Sequence, residues 1–174
     1  MTYALRLESS EYRRKAGLAF RGNIRVSGFF YVLDETARIL FVDDDPILRE
    51  FAQVNLASPK ASVDLAADGA EALRSLAVCD YDIVLLDLEM PVLNGFDTLA
   101  RIRADPRTRD LAVIVQTGRE DVEAIDKAFR LGATSFVTKP LNWRLLSYQI
   151  LYVLRASRAE RHLRSAVAGQ SAAA

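Results

Sequence analysis

Cysteine, histidine and tryptophan each occur once in these 174 residues, and neither sign of charge prevails, with 23 Lys and Arg against 23 Asp and Glu. A single cysteine, Cys79, excludes an intramolecular disulfide and reads as a small apolar side chain or an incidental thiol. The one histidine, His162, falls in a charged helical stretch and is read as exposed, without a catalytic role. Balanced charge removes the footprint of non-specific nucleic-acid binding, so no direct nucleic-acid partner is expected. No apolar run approaches the length of a membrane span. Residues 1–20 carry charges throughout and lack the apolar core of a secretory signal, which makes the cytoplasm the expected location. What remains is a 51% hydrophobic, 26% charged chain. That composition suits a globular protein with one real core and flanking segments.

From Arg38 onward, short apolar runs alternate with amphipathic stretches. Residues 38–42 form an apolar run that stops at Asp43-Asp44-Asp45. Pro46 suits a first helical turn with Asp45 as its N-cap, and Ile47, Leu48, Phe51 and Val54 follow at helical spacing until Ser58-Pro59. Residues 61–66 make a second strand, and Asp68-Gly69 turns into a helix holding Ala70, Leu73 and Leu76. Residues 82–86 make a third strand ending at Asp87, and Asn94-Gly95 leads to a helix with Phe96, Leu99 and Ile102. A strand over 111–116, a helix over 122–131, a strand over 134–137 and a helix over 145–154, running on past Arg164, complete the series. Strict alternation predicts an α/β fold around a parallel sheet. Near-continuous apolar strands predict that both faces of the sheet are covered. Trp143 and Tyr148 are expected to pack the last helix, and Arg155, Arg158, Arg161 and Arg164 to form its solvated face. The organisation read from this pattern is an N-terminal extension over 1–37, a domain over 38–157, and a helical extension with a frayed tail over 158–174. Residues 1–37 fit either a helix with a hairpin or a poorly ordered segment.

In an open parallel sheet, functional groups collect beyond the carboxyl ends of the strands. Strand one here ends in Asp43 and Asp44, strand three in Asp87, strand four in Thr117 and strand five in Lys139. Clustered carboxylates repel one another, so the three aspartates call for a cation among them. Hard oxygen donors with no histidine nearby favour a magnesium-like ion. A carboxylate can attack phosphorus and form an acyl phosphate. The ion and a lysine offset charge on the transferring phosphoryl oxygens, and a threonine hydroxyl can hydrogen-bond one of them. Each residue also has a plainer reading. Asp43 and Asp44 would be favourable charge at a helix N-terminus, Asp87 and Thr117-Gly118 turn residues, and Lys139-Pro140 a strand stop. Their convergence on one sheet edge favours the chemistry.

Four segments resemble the signatures of bacterial response-regulator receiver domains: Ile39-Leu40-Phe41-Val42-Asp43-Asp44-Asp45-Pro46, Asp82-Ile83-Val84-Leu85-Leu86-Asp87-Leu88-Glu89-Met90-Pro91, Gln116-Thr117-Gly118 and Phe136-Val137-Thr138-Lys139-Pro140. They stand in the right order across residues 38–157. The resemblance implies a flavodoxin-like (βα)5 doubly wound sheet with strand order 2-1-3-4-5. A receiver domain is itself a standard example of that order, so the order comes with the family and not from the spacing of these residues. The resemblance also implies that Asp87 accepts phosphate, that Asp43 and Asp44 form the acidic pair, and that Asp44, Asp87 and the backbone carbonyl of Glu89 ligate Mg2+. Lys139 would contact the phosphoryl group, with a cis bond before Pro140. Thr117 would move towards the phosphate, with Phe136 at the aromatic switch position. Glu89 and Arg119 match positions that tune phosphoryl lifetime. No other cofactor is implied. Phe136 replaces a common tyrosine, and Val92 stands where glycine is frequent.

The resemblance implies a regulator rather than an enzyme. Its phosphate would come from a sensor histidine kinase or a phosphotransfer protein. Signalling would follow from a population shift at the face made by the fourth helix, fifth strand and fifth helix. A downstream effector protein is implied, and a homodimer through that face or through the extended last helix is compatible with it. About a score of residues follow the last receiver helix, too few for an ordinary effector domain. Residues 139–143 and 151–158 are similar to receivers joined to diguanylate cyclase domains, so both a stand-alone regulator and a separated fragment fit. Two other classes stay open. Asp43-x-Asp45 after a strand resembles a haloacid-dehalogenase-like phosphotransferase, although that chemistry needs acidic residues after the lysine and none occurs between Lys139 and Glu160. The other is an interaction module that keeps the fold without phosphate chemistry.

Overall fold

The computed structural model describes residues 32–118 and 122–171. Residues 1–31 and Arg119 lie outside it, and so do the readings made for them above. Among the described residues five strands and five helices alternate: β1 Ala37–Val42, α1 Pro46–Leu56, β2 Ala61–Ala66, α2 Gly69–Val78, β3 Ile83–Asp87, α3 Gly95–Ala104, β4 Ala112–Thr117, α4 Val122–Arg130, β5 Ser135–Thr138 and α5 Trp143–Ser171. The strands form one parallel sheet in the order β2-β1-β3-β4-β5. The implied strand order is therefore the observed one. Strands four and five each sit one residue further along than the apolar runs predict, because ladder pairing carries on through Thr117 and Thr138.

Side-chain alternation along the strands divides the interior into two cores. Leu40, Val42, Val84, Leu86, Val113 and Val115 pack with Ala72, Leu76, Leu99, Ile102 and Ala128 of α2, α3 and α4. Ile39, Phe41, Ile83, Leu85, Ala112 and Ile114 face the other way, onto Ala52 and Leu56 of α1 and Leu146, Ile150 and Leu154 of α5. Central strands buried on both faces are why the sequence shows unbroken apolar runs.

Polar side chains at the strand–helix turns cap three of the helices. Asp45 accepts from the Ile47 N–H at 2.8 Å, Asp68 from Glu71 at 2.8 Å and Asn94 from Asp97 at 2.9 Å. Each satisfies an amide the helix leaves unpaired. The β3–α3 turn includes Val92 at φ 67°, a left-handed conformation that crowds a β-branched side chain.

Two expectations for α5 need correction. Tyr148 is exposed rather than packed, whereas Trp143 does pack, with its ring 6.1 Å from Phe41 and 6.4 Å from Phe51. The arginine series is not a free solvated face. Arg155 pairs with Glu35 at 2.7 Å, Arg158 with Glu35 at 3.2 Å and Asp82 at 3.3 Å, and Arg164 with Asp110 at 2.7 Å. Arg158 also donates to the Thr36 carbonyl. The helix runs past the starts of the strands, and the acidic residues there meet its guanidinium groups. These pairs are partly exposed and each adds little stability.

Candidate functional site at the carboxyl edge of the sheet

β1 delivers Asp43 and Asp44 just past its last residue, and β3 ends in Asp87. Lys139 follows β5 by one residue, and the Lys139–Pro140 peptide is cis. The Lys139 main chain is tied to β4 by an N–H bond to the Thr117 carbonyl at 2.8 Å. From there the ammonium crosses β4 to reach two carboxylates. It donates to Asp87 Oδ2 at 2.6 Å and lies 2.8 Å from Asp43 Oδ2, at an angle outside hydrogen-bonding alignment. The other oxygens are held by main chain: Asp43 Oδ1 accepts from the Asp45 N–H at 2.9 Å, and Asp87 Oδ1 from the Glu89 N–H at 3.3 Å. Arg49 donates to the Asp43 carbonyl at 2.6 Å and anchors the turn to α1.

Asp43 and Asp87 are buried and Asp44 is exposed, so the cluster opens to solvent on one side only. Burial holds the Asp87 carboxyl above the usual carboxylate range, with Asp43 adding to it, while Lys139 pulls the other way. For Lys139, burial favours the neutral amine, but the close negative charge of Asp43 and Asp87 outweighs it and raises the ammonium's pKa. The two directions agree, since two buried carboxylates share one cation.

Carboxylate oxygens of Asp43, Asp44 and Asp87 lie within 4.8 Å of one another. Three carboxylates against one ammonium leave a site two charges negative, lined by hard oxygen donors. That donor set fits a divalent cation of the magnesium type. Glu89 is exposed and two residues past Asp87; its carboxylate is not among the clustered three.

Thr117 is buried at the end of β4, and its hydroxyl donates to the Gly118 carbonyl at 3.1 Å rather than to Asp87 or Lys139. Phe136 is 37% exposed and meets Phe129 of α4 edge-on at 6.1 Å. The structure thus gathers Asp43, Asp44, Asp87 and Lys139 and leaves Thr117 and Phe136 beside them. It also holds a residue that the sequence offers only as part of a motif. Gln116 is fully buried next to Asp87 in the sheet, with neither side-chain polar atom hydrogen-bonded among the described residues. No separate signal marks it in the sequence, because polar Thr117 follows it at the end of the same strand.

A five-stranded parallel sheet with this edge defines a class, and comparison with known proteins identifies it. Residues 39–150 match the response regulator receiver domain family, and the chain belongs to that family. It is similar to the DNA-binding dual master transcriptional regulator RpaA of Synechocystis sp., 30% identical over 118 residues that span 68% of this chain and 49% of that protein. It is also similar to a probable cyclic di-GMP phosphodiesterase of Vibrio cholerae, 36% identical over 112 residues, 64% of this chain and 25% of that one. Among solved structures, a putative response regulator from Chloroflexus aurantiacus superposes with a TM-score of 0.66 at 28% identity, covering 70% of this chain and 99% of that one. The chain spans about half, or less, of the length of these curated relatives. No helix among the described residues is long and apolar enough to cross a membrane.

Proposed function

We propose that this chain is a phosphorylation switch in which Asp87 accepts a phosphoryl group from the phosphohistidine of a sensor kinase or phosphotransfer protein. The observation that carries the reading is the Lys139 ammonium bridging two buried aspartates contributed by different strands. An Asp87 oxygen attacks phosphorus while the bond from phosphorus to the donor nitrogen breaks. Lys139, already held on the other carboxylate oxygen of Asp87, is placed to pair with the incoming phosphoryl oxygens. The Thr117 hydroxyl gives up the Gly118 carbonyl and turns to the phosphoryl group. Asp43, Asp44, Asp87 and the Glu89 carbonyl would hold Mg2+, which when bound neutralises charge on the transferring phosphoryl group.

Readout proceeds through α4, β5 and α5. Exposed Phe129 and Phe136 on the first two, and Leu145, Tyr148 and Tyr152 on α5, supply apolar surface there. Gln149 of α5 donates to the Phe136 carbonyl at 2.8 Å, so a shift of β5 is felt by α5. An effector protein, or a second copy of the chain, is the partner for this face. Incubation with acetyl phosphate and Mg2+, followed by a phosphate-retarding gel, tests the acceptor. A slower band is expected for the wild type and for Asp64→Asn, a control on β2 whose carboxylate pairs with Arg38 outside the cluster, but not for Asp87→Asn. A slower band of equal strength from Asp87→Asn would end the proposal.

A further inference from the structure

Outside the Asp43–Lys139–Asp87 cluster, two residues carry buried side-chain polar atoms without a hydrogen-bond partner among the described residues. One is Arg103, whose Nε nevertheless donates to the Gly132 carbonyl at 2.9 Å. The other is Gln116, which is completely buried and lacks a partner at both Nε2 and Oε1. An unmet carboxamide is destabilising, and an apolar side chain of similar size would avoid the defect.

Sheet geometry places this defect beside the reactive carboxylate. Ala112 and Ile114 face α1 and α5, so alternation along β4 puts Gln116 on that side too. The same rule carries Asp43 after Ile39 and Phe41, Asp87 after Ile83 and Leu85, and Lys139 after Val137, onto the same side. In the ladder Gln116 is the register partner of Asp87 on one flank and of Val137 on the other. The carboxamide is therefore rooted between the acceptor aspartate and the strand that leads to Lys139, where the ammonium passes across β4. With water excluded, a dipole at that place acts at close to full strength.

Taking Asp87 as the phosphoacceptor, we propose that Gln116 is a positioning residue whose carboxamide finds its partner only in the phosphorylated state. Once Asp87 is phosphorylated, one carboxylate oxygen bridges to phosphorus and the other becomes a carbonyl oxygen. The ammonium follows the larger charge of the phosphoryl oxygens, and the Gln116 amide donates to the carbonyl oxygen it leaves. In hydrolysis, water oxygen bonds to phosphorus and the bridging P–O bond breaks. The electron pair returns to Asp87 as carboxylate, and the protons of water leave with phosphate and solvent. A donor on the departing carboxylate stabilises the charge that develops there. Gln116 therefore shortens the life of the acyl phosphate.

The test uses the full chain loaded with acetyl phosphate and Mg2+, then freed of donor and followed as the phosphoryl group is lost. Gln116→Met keeps length and removes the amide. Its phosphoryl lifetime is expected to lengthen about tenfold, the rate equivalent of one hydrogen bond. Its unphosphorylated, metal-free form is expected to melt about 2–4 °C higher, because the unmet amide is gone. A lifetime within about twofold of wild type overturns the proposal, and so does a lower melting temperature, which would reveal a resting-state partner. A second measurement needs no variant. The Gln116 side-chain 15N–1H resonances should move downfield when wild type binds beryllofluoride with Mg2+, and unmoved resonances overturn the proposal. Wild type that takes up no phosphoryl group at all refutes the acceptor role of Asp87 instead, a result distinct from a normal lifetime in Gln116→Met.

Discussion

Replacing Gly95 with alanine introduces a methyl group where the end of β3 and the start of α3 touch through their main chains. An ideal Cβ at Gly95 falls 2.1 Å from the Asp87 carbonyl oxygen, 2.7 Å from Leu88 Cα and 2.9 Å from the Asp87 carbonyl carbon. These are backbone atoms and cannot rotate aside as a side chain can. The Gly95 N–H also donates to the Leu88 carbonyl at 3.1 Å, holding the two segments together. Ordinary contact distances require the segments to part by roughly 1 Å. Overpacking of this kind costs about 1–3 kcal/mol, and a weakened hydrogen bond adds about 1 kcal/mol. A loss of about 2–4 kcal/mol is expected, read as a melting temperature lower by about 5–12 °C. The site shifts as well, because Asp87 Oδ2 sits 2.6 Å from Lys139 Nζ and a displacement of roughly 1 Å takes it out of hydrogen-bonding range. Urea unfolding followed by circular dichroism gives the stability, and labelling by acetyl phosphate gives the site. Gly118→Ala is the control, since a Cβ there meets nothing within 4 Å. If Gly95→Ala unfolds at the same urea concentration as Gly118→Ala, the close approach of α3 to the Asp87 backbone is refuted.

Three further perturbations test other links. Val92→Gly relieves a left-handed φ of 67° at an exposed position; relief of about 1–2 kcal/mol less about 0.5–1 kcal/mol of chain entropy leaves a net gain in thermal melting, and a loss would contradict it. Mg2+ at about ten times its dissociation constant should stabilise the wild type by about 1.4 kcal/mol, and calorimetry should find that gain reduced in Asp44→Asn; an equal gain in both would remove Asp44 from the ligand set. The pH dependence follows from the raised pKa of buried Asp87. The folded state holds that proton more tightly than the unfolded state, so ionisation costs stability as pH rises from the unfolded to the folded pKa, and the full cost applies above the latter. In EDTA, the stability of Asp87→Asn relative to wild type should therefore be greater at neutral pH than in mild acid, and urea titrations showing the reverse would contradict this cause.

Much of the fold is visible in the sequence because local and global signals agree. Asp45-Pro46 marks the start of a helix, and the Asp45 carboxylate does cap it. The unbroken run Ile83-Val84-Leu85-Leu86 marks a strand buried on both faces, and it lies at the centre of the sheet. Asp43, Asp44, Asp87 and Lys139 are legible together because parallel strands bring all their carboxyl ends to one edge. What depends on non-local geometry is not legible. Arg155, Arg158 and Arg164 look like solvent-facing charge until the path of α5 brings Glu35, Asp82 and Asp110 beneath them. Tyr148 sits at a helical position that looks packable, but α5 turns that side outward. Gln116 looks like the end of an apolar strand, and only its burial without a partner sets it apart.

Mapping the modified residue tests the central claim most directly. The full chain is treated with acetyl phosphate and Mg2+, the acyl phosphate is reduced with borohydride, and the peptides are sequenced by mass spectrometry. A single reduced site at Asp87, absent from Lys139→Met or greatly diminished there, is the predicted result. Reduction at Asp43 or Asp44 in place of Asp87, or none in wild type, would contradict it.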